Sequence, residues 1–147
     1  MTRALGLDLG SKRIGVAVSD RGGIIASPLT VVARSRSRRH DHDRLAALVD
    51  EEEAEVVVVG LPRSMSGDLG PAARGVLKEV QALATVVGVP VETYDERLTT
   101  VAAESALREG GVRGAARRQV VDKVAAAVIL QGWLDARRLH EVARDDR

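Results

Sequence analysis

Residues 55–60 read EVVVVG, four consecutive valines with no polar residue to mark an outward face. A strand written this way is buried on both sides, so its sheet must carry helices above and below. The flanking sequence supplies them. Upstream, HDHDRLAALVDEEEA (40–54) sets Leu45, Leu48 and Val49 at helical spacing, with Asp41 or Asp43 available as N-cap. Downstream, a helix is expected from Pro71, a residue suited to the first helical turn, to about Val87. VPVETYDE (89–96) then reads as a strand, and Thr99 or Thr100 as the cap of a helix stopped by Gly110-Gly111. A last helix is expected from Ala115 or Arg117 to Leu139, with Val121, Val124, Ala125, Val128, Ile129 and Leu134 as its buried stripe. Residues 140–147 read as a frayed tail.

Three alternating segments precede this part. In LGLDLG, Leu5, Leu7 and Leu9 take one face while Gly6, Asp8 and Gly10 take the other. Ile14, Val16 and Val18 alternate in the next segment. A third follows the Gly22-Gly23 turn, with Pro28 pointing to an edge or a bulge. Short turns between them make an antiparallel meander. The whole is therefore α/β, a five-stranded mixed sheet with three antiparallel strands, then two parallel ones, flanked by helices. Nothing divides the chain, so residues 1–147 are expected to form a single domain.

Composition narrows the chemistry. With no cysteine, a thiolate nucleophile, a disulfide framework and a Cys-based zinc site are excluded. One Trp, one Tyr and no Phe leave little for a base-stacking surface. The 22 basic residues nearly balance 21 acidic ones, and all but Lys12, Lys78 and Lys123 are arginines, whose planar fork suits phosphate. No apolar run approaches a membrane span and no leader is evident, so a cytoplasmic location without membrane contact is expected.

Ligands of open α/β sheets gather at the carboxyl ends of the parallel strands. Asp8 stands near one such end. A carboxylate on a buried strand is costly unless paired or metal-bound, and Gly6 and Gly10 are expected to leave room above it. DERLTT (95–100) ends the fifth strand; alternation puts Asp95 and Glu96 on opposite faces, and either could share the face of Asp8. Asp122 borders the stripe of the last helix, beside Ala125 and Ala126, small residues that let a helix come close to a sheet. Two bare carboxylates about 4 Å apart repel by roughly 4 kcal/mol at an effective dielectric near 20. A three-acid cluster therefore calls for hard cations, Mg²⁺ or Mn²⁺, and two such ions suit phosphodiester hydrolysis.

GLDLGSKRIGVAVSD, VVVVGLPRSMSGDLGP, YDERLTT and VVDKVAAAVILQGWL together resemble, in order and over nearly the whole chain, the YqgF (RuvX) family of Holliday-junction-resolvase-like pre-16S rRNA nucleases. The resemblance implies an RNase H-like fold and a metal-dependent nuclease that matures the 5′ end of 16S rRNA. It implies Asp8, Glu96 and Asp122 as the catalytic, metal-ligating acids. Arg13, Arg63 and Arg97 flank these motifs and are candidates for holding substrate phosphates. Pre-rRNA is the expected partner, within a ribosomal precursor particle, and the chain is expected to be a monomer or homodimer.

Other readings compete. A resolvase acting on branched DNA would use the same acids, and a non-catalytic nucleic-acid-binding module would keep the fold alone. A phosphotransferase of the actin and sugar-kinase type also has a glycine-flanked Asp, but needs a second clamping domain. HDHD (40–43) resembles a metal cluster, yet adjacent residues diverge and Arg34, Arg36, Arg38 and Arg39 repel cations. That arginine stretch reads as a mobile loop or a contact to RNA backbone.

Overall fold

The computed structural model describes residues 3–62, 68–95 and 114–145. Its strands are β1 (Ala4–Leu9), β2 (Arg13–Ser19), β3 (Ala26–Ala33), β4 (Val56–Leu61) and β5 (Val91–Asp95). Its helices are α1 (Arg38–Glu51), α2 (Pro71–Val87) and α3 (Gly114–Asp145). The strands form one sheet in the order β3-β2-β1-β4-β5; β1 pairs antiparallel with β2 and parallel with β4, and β4 parallel with β5. The mixed sheet expected from the patterning is thus observed. Pro28 sits on the edge strand β3, and the β2–β3 register shifts beside it, between Val16 and Ala17. An edge and a bulge are both places that tolerate its missing N–H.

Each sheet face has its own core. Leu5, Leu7, Ile14, Val16, Val57 and Val59 pack with Leu45 and Val49 of α1 and Leu83 and Val87 of α2. Ala4, Ala17, Val56 and Val58 pack with Ala126, Ile129, Leu130, Trp133 and Leu134 of α3. All six residues of β4 are buried, as a strand between two helical layers must be. The side chains differ systematically: the α1/α2 face is built from large residues, while β1 offers α3 the small Ala4 and Gly6. That asymmetry lets α3 lie close.

Gly6 shows how close. A Cβ there would stand 2.8 Å from Leu130 Cβ and 3.0 Å from the Ala126 carbonyl oxygen. Gly10 is demanded by the β1–β2 turn instead, since a Cβ would meet the Arg13 carbonyl oxygen at 2.5 Å. The room expected above Asp8 is therefore not what these glycines provide; helix and turn backbone fill both places.

The helices depart from expectation at particular points. Ser37, not Asp41 or Asp43, caps α1, its hydroxyl accepting from His40 N at 3.1 Å. Asp41 lies inside the helix, nearly fully buried. α2 spans Pro71–Val87 as expected and ends at Gly88, whose φ of 70° is the left-handed conformation a helix C-terminus commonly needs. α3 continues past Leu139 to Asp145, where a frayed tail was expected. Among the side chains described, α3 buries Ala126, Leu130 and Trp133 together with the expected Ile129 and Leu134, whereas Val124, Ala125 and Val128 are only half-buried. The stripe is rotated from the expected one because small Ala126, not Val124, meets the sheet. The helix expected between Thr99 and Glu109 falls outside the described residues.

Candidate functional site

Because β1, β4 and β5 run parallel, their carboxyl ends share one rim. Leu7 pairs with Val59, and Gly60 with Tyr94, so one further step along β1 sets Asp8 level with Gly60 and Tyr94. Asp8 pairs across β2 with Gly15. It shares a face with Gly6 and Gly15, the face that α3 covers. Arg13 is two residues from Gly15 on the same face, so the sheet itself sets a guanidinium-bearing residue beside the carboxylate-bearing one.

The same register separates Asp95 from this group. Val58 faces α3, and its partner Glu92 and then Tyr94 face α3 with it. Tyr94 lies against α3 so closely that a Cβ on Gly132 would be 2.9 Å from its hydroxyl. Asp95, opposite Leu61, belongs to the other face. Glu96, Arg63 and Arg97 lie outside the described residues.

α3 runs antiparallel to β1. Gln131 accepts from Ala26 N at 2.9 Å, and Ala26, opposite Ser19, is level with Ala4. Ala126 lies farther along, over Gly6. The residues preceding Ala126 therefore lead toward the rim of Asp8. Asp122 is one turn before Ala126, in the same i, i+4 row as Ala126 and Leu130. Its backbone is helical. Among the described residues no group of three acids, histidines or cysteines is gathered at metal-ligating distances.

A second polar cluster, on the α1/α2 side, is absent from the sequence reading. Arg34 donates from both terminal nitrogens to Glu79 of α2, at 2.8 and 2.9 Å, and from Nε to the Gly10 carbonyl at 2.8 Å. His42 Nε2 stands 2.8 Å from Glu79 Oε2, and both side chains are almost wholly buried. Burial opposes ionisation of Glu79, but hydrogen bonds from Arg34 and His42 and the charges of Arg34 and Arg38 outweigh it, so its carboxyl titrates below the ordinary value. Asp41 is likewise lowered: burial opposes it, while the Ser35 N–H and hydroxyl, at 2.9 and 2.7 Å, hold its charged form. Arg34 is thus a fixed strut between β3, the β1–β2 turn and α2, not part of a mobile loop. In HDHD, Asp41 and His42 point inward while His40 and Asp43 are exposed, so the four do not form a metal cluster. Glu79 left no signal in the sequence, being one acid in an amphipathic helix; only the packing of α2 on α1 pairs it.

A sheet of order 3-2-1-4-5, with helices on both faces, is the RNase H-like fold. Two Thermus thermophilus RuvC structures share it, one in complex with a Holliday junction substrate. That one is 23% identical at a TM-score of 0.58, covering 94% of this chain and 96% of RuvC; the other is 21% identical with a TM-score of 0.53. The family model described as "RuvX: Holliday junction resolvase" matches residues 2–136, and the chain belongs to that family. A Myxococcus xanthus protein called "Putative pre-16S rRNA nuclease" is 52% identical over 136 residues, 92% of this chain and 89% of its own length. Proteins of the same name from Mycobacterium sp. (strain KMS) and Clostridium kluyveri are 50% and 47% identical, over 92% and 90% of this chain and 81% and 96% of theirs. At the coarsest level the function is that of a nuclease, a hydrolase acting on nucleic acid. No helix among the described residues is long and apolar enough to cross a membrane.

Proposed function

We propose that this chain is a divalent-metal-dependent nuclease that trims the 5′ end of pre-16S rRNA, with Asp8, Glu96 and Asp122 as its acids. The observation that carries the reading is the seating of α3 on Gly6. It leads the row containing Asp122 toward the strand end that carries Asp8. The assignment of Asp95 to the opposite face supports Glu96 as the acid of DERLTT. Carboxylate oxygens are the donor set that Mg²⁺ or Mn²⁺ prefers. When bound, such ions supply Lewis acidity and a water of lowered pKa.

The residues of the chain divide the remaining work. Asp8 fixes the position of the reacting phosphate's counter-charge, being anchored in the central strand of a rigid sheet. Arg13, on the same face, binds a non-bridging phosphate oxygen and holds the scissile group against Asp8. Arg63 and Arg97 are assigned the flanking phosphates. We assign the protein to the cytoplasm, acting within a ribosomal precursor particle. Branched DNA offers the same phosphodiester and is the competing substrate.

The test is cleavage of a labelled precursor rRNA end and a labelled four-way DNA junction with Mn²⁺. Asp8→Asn is expected to lose at least about a hundredfold in rate, as loss of one positioned electrostatic group does, with thermal stability unchanged or raised. Undiminished cleavage by this variant overturns the assignment. Faster cleavage of the junction than of the RNA overturns the substrate.

A further inference from the structure

Between the first turns of α1 and α2, just past the end of β1, lies a cleft of about 600 Å³. Leu9, Gly10 and Ser11 form its floor toward Asp8, and Arg34, Arg36 and Arg38 line the α1 side. Its electrostatic sign is set by which charges are already compensated. Arg34 and Glu79 offset one another as an ion pair, whereas Asp41 keeps its negative charge on the hydrogen bonds of neutral Ser35, so Arg36 and Arg38 leave the lining net positive. Arg36 is exposed and makes no hydrogen bond or ion pair with any described residue. Arg38 is 59% exposed, and its nearest approach to an acid is 3.9 Å, from Nε to Glu79 Oε2. Two guanidinium groups therefore face the cleft with their donors available.

The α2 wall is small. It consists of Ala72, Gly75 and Val76, and a Cβ on Gly75 would meet nothing within 4 Å. Backbone N–H groups of the first turn add to the positive field, since no acidic residue stands there and Gly70 offers no side-chain cap. None of the lining residues is aromatic. A cleft that is cationic, wide and without stacking surfaces suits repeating phosphates and does not read bases.

We propose that this α1–α2 cleft holds the phosphodiester backbone of the nucleic-acid strand leading away from the Asp8 rim, through Arg36 and Arg38. The proposal rests on the nuclease reading for the polarity of the site, and on the cleft alone for binding. It makes α1 a substrate-binding element and the Arg34–Glu79–His42 network the brace that fixes its position against α2. Recognition there is independent of sequence and sensitive to salt.

Binding of fluorescein-labelled oligouridylate to the full chain carrying Asp8→Asn, followed by anisotropy from about 50 to about 200 mM KCl, tests this. Adding Arg36→Gln and Arg38→Gln is expected to weaken binding at least tenfold at the low-salt end. The slope of log K against log salt should fall by about 1.4, two phosphates at roughly 0.7 each for a single strand. Gly75→Glu, whose side chain has open space, should weaken binding more than Gly75→Gln, which adds the same bulk without the charge. Equal binding and equal slopes for the arginine variants overturn the proposal, as does failure of the parent to bind. Persistent cleavage by Asp8→Asn would defeat the assignment of Asp8 as a catalytic acid alone, leaving the binding result to stand by itself.

Discussion

Substituting Gly6 by alanine tests the close seating of α3 on β1, on which the proposed site rests. The new methyl would lie 2.8 Å from Leu130 Cβ and 3.0 Å from a backbone oxygen. Non-bonded carbons settle at about 3.5–4.0 Å, so α3 must retreat by roughly 0.7–1 Å. Neither neighbour is the far end of a flexible side chain, so rotamer changes cannot absorb the clash. Overpacking of this kind costs about 1–3 kcal/mol, offset by roughly 0.5–1 kcal/mol because alanine is less flexible than glycine in the unfolded chain. A net loss of about 1–2 kcal/mol corresponds to a fall in Tm of some 2–8 °C for a chain of this size. The catalytic effect should be larger, since a displacement near 1 Å between reacting groups costs about a hundredfold in rate. Gly75→Ala is the matched control. With nothing within 4 Å of its Cβ, it should gain about 0.5–1 kcal/mol. Circular dichroism melting and RNA cleavage on both variants read the outcome. A Gly6→Ala protein as stable and as active as its parent would refute the close seating of α3 and the site built on it.

Two further outcomes follow from the polar cluster and from α1. Glu79→Gln leaves Arg34 without its buried counter-charge and should cost about 3 kcal/mol at neutral pH, read as a shift in urea midpoint. Glu79 has a folded pKa below its ordinary value of 4.5, so the unfolded chain takes up its proton first as pH falls. Its stabilisation is complete above that value and is lost as pH drops through the folded pKa, and Asp41 behaves likewise. Urea midpoints taken from neutral pH to about pH 3 should therefore fall less steeply for Glu79→Gln than for the parent. After α1, Glu53 adopts a φ of 54°, a left-handed conformation unfavourable to a residue with a Cβ. Glu53→Gly should raise stability by up to about 1 kcal/mol in the same melt, minus the exposed contact to Arg21; a loss of stability would contradict the strain.

Local pattern carried the architecture a long way. The alternation of Leu5, Leu7 and Leu9 and the valine run of β4 are period-two and continuous apolar signals that few other arrangements satisfy. Pro71 and Gly88 mark the limits of α2 because proline at a helix start and glycine past its end answer needs of the backbone itself. Asp8 stood out as a charge between glycines on an apolar strand, and the structure places it on the α3-covered face with Arg13 on the same face.

What needed the third dimension was everything set by which surfaces meet. The buried row of α3 could not be read from hydropathy, because Ala126 and Gly6 are chosen for closeness rather than for apolar area. The face of Asp95 was open until the pairing of Gly60 with Tyr94 fixed the faces of β5. Asp41 read as a possible N-cap, His42 as part of a metal look-alike and Glu79 gave no signal, and only the docking of α1 on α2 brings His42, Glu79 and Arg34 into one buried network. Hydrophobic period and turn chemistry act within a few residues, so the chain alone determined strands, helices and their order. Close approach and charge pairing depend on segments distant in sequence, and those the tertiary structure decided.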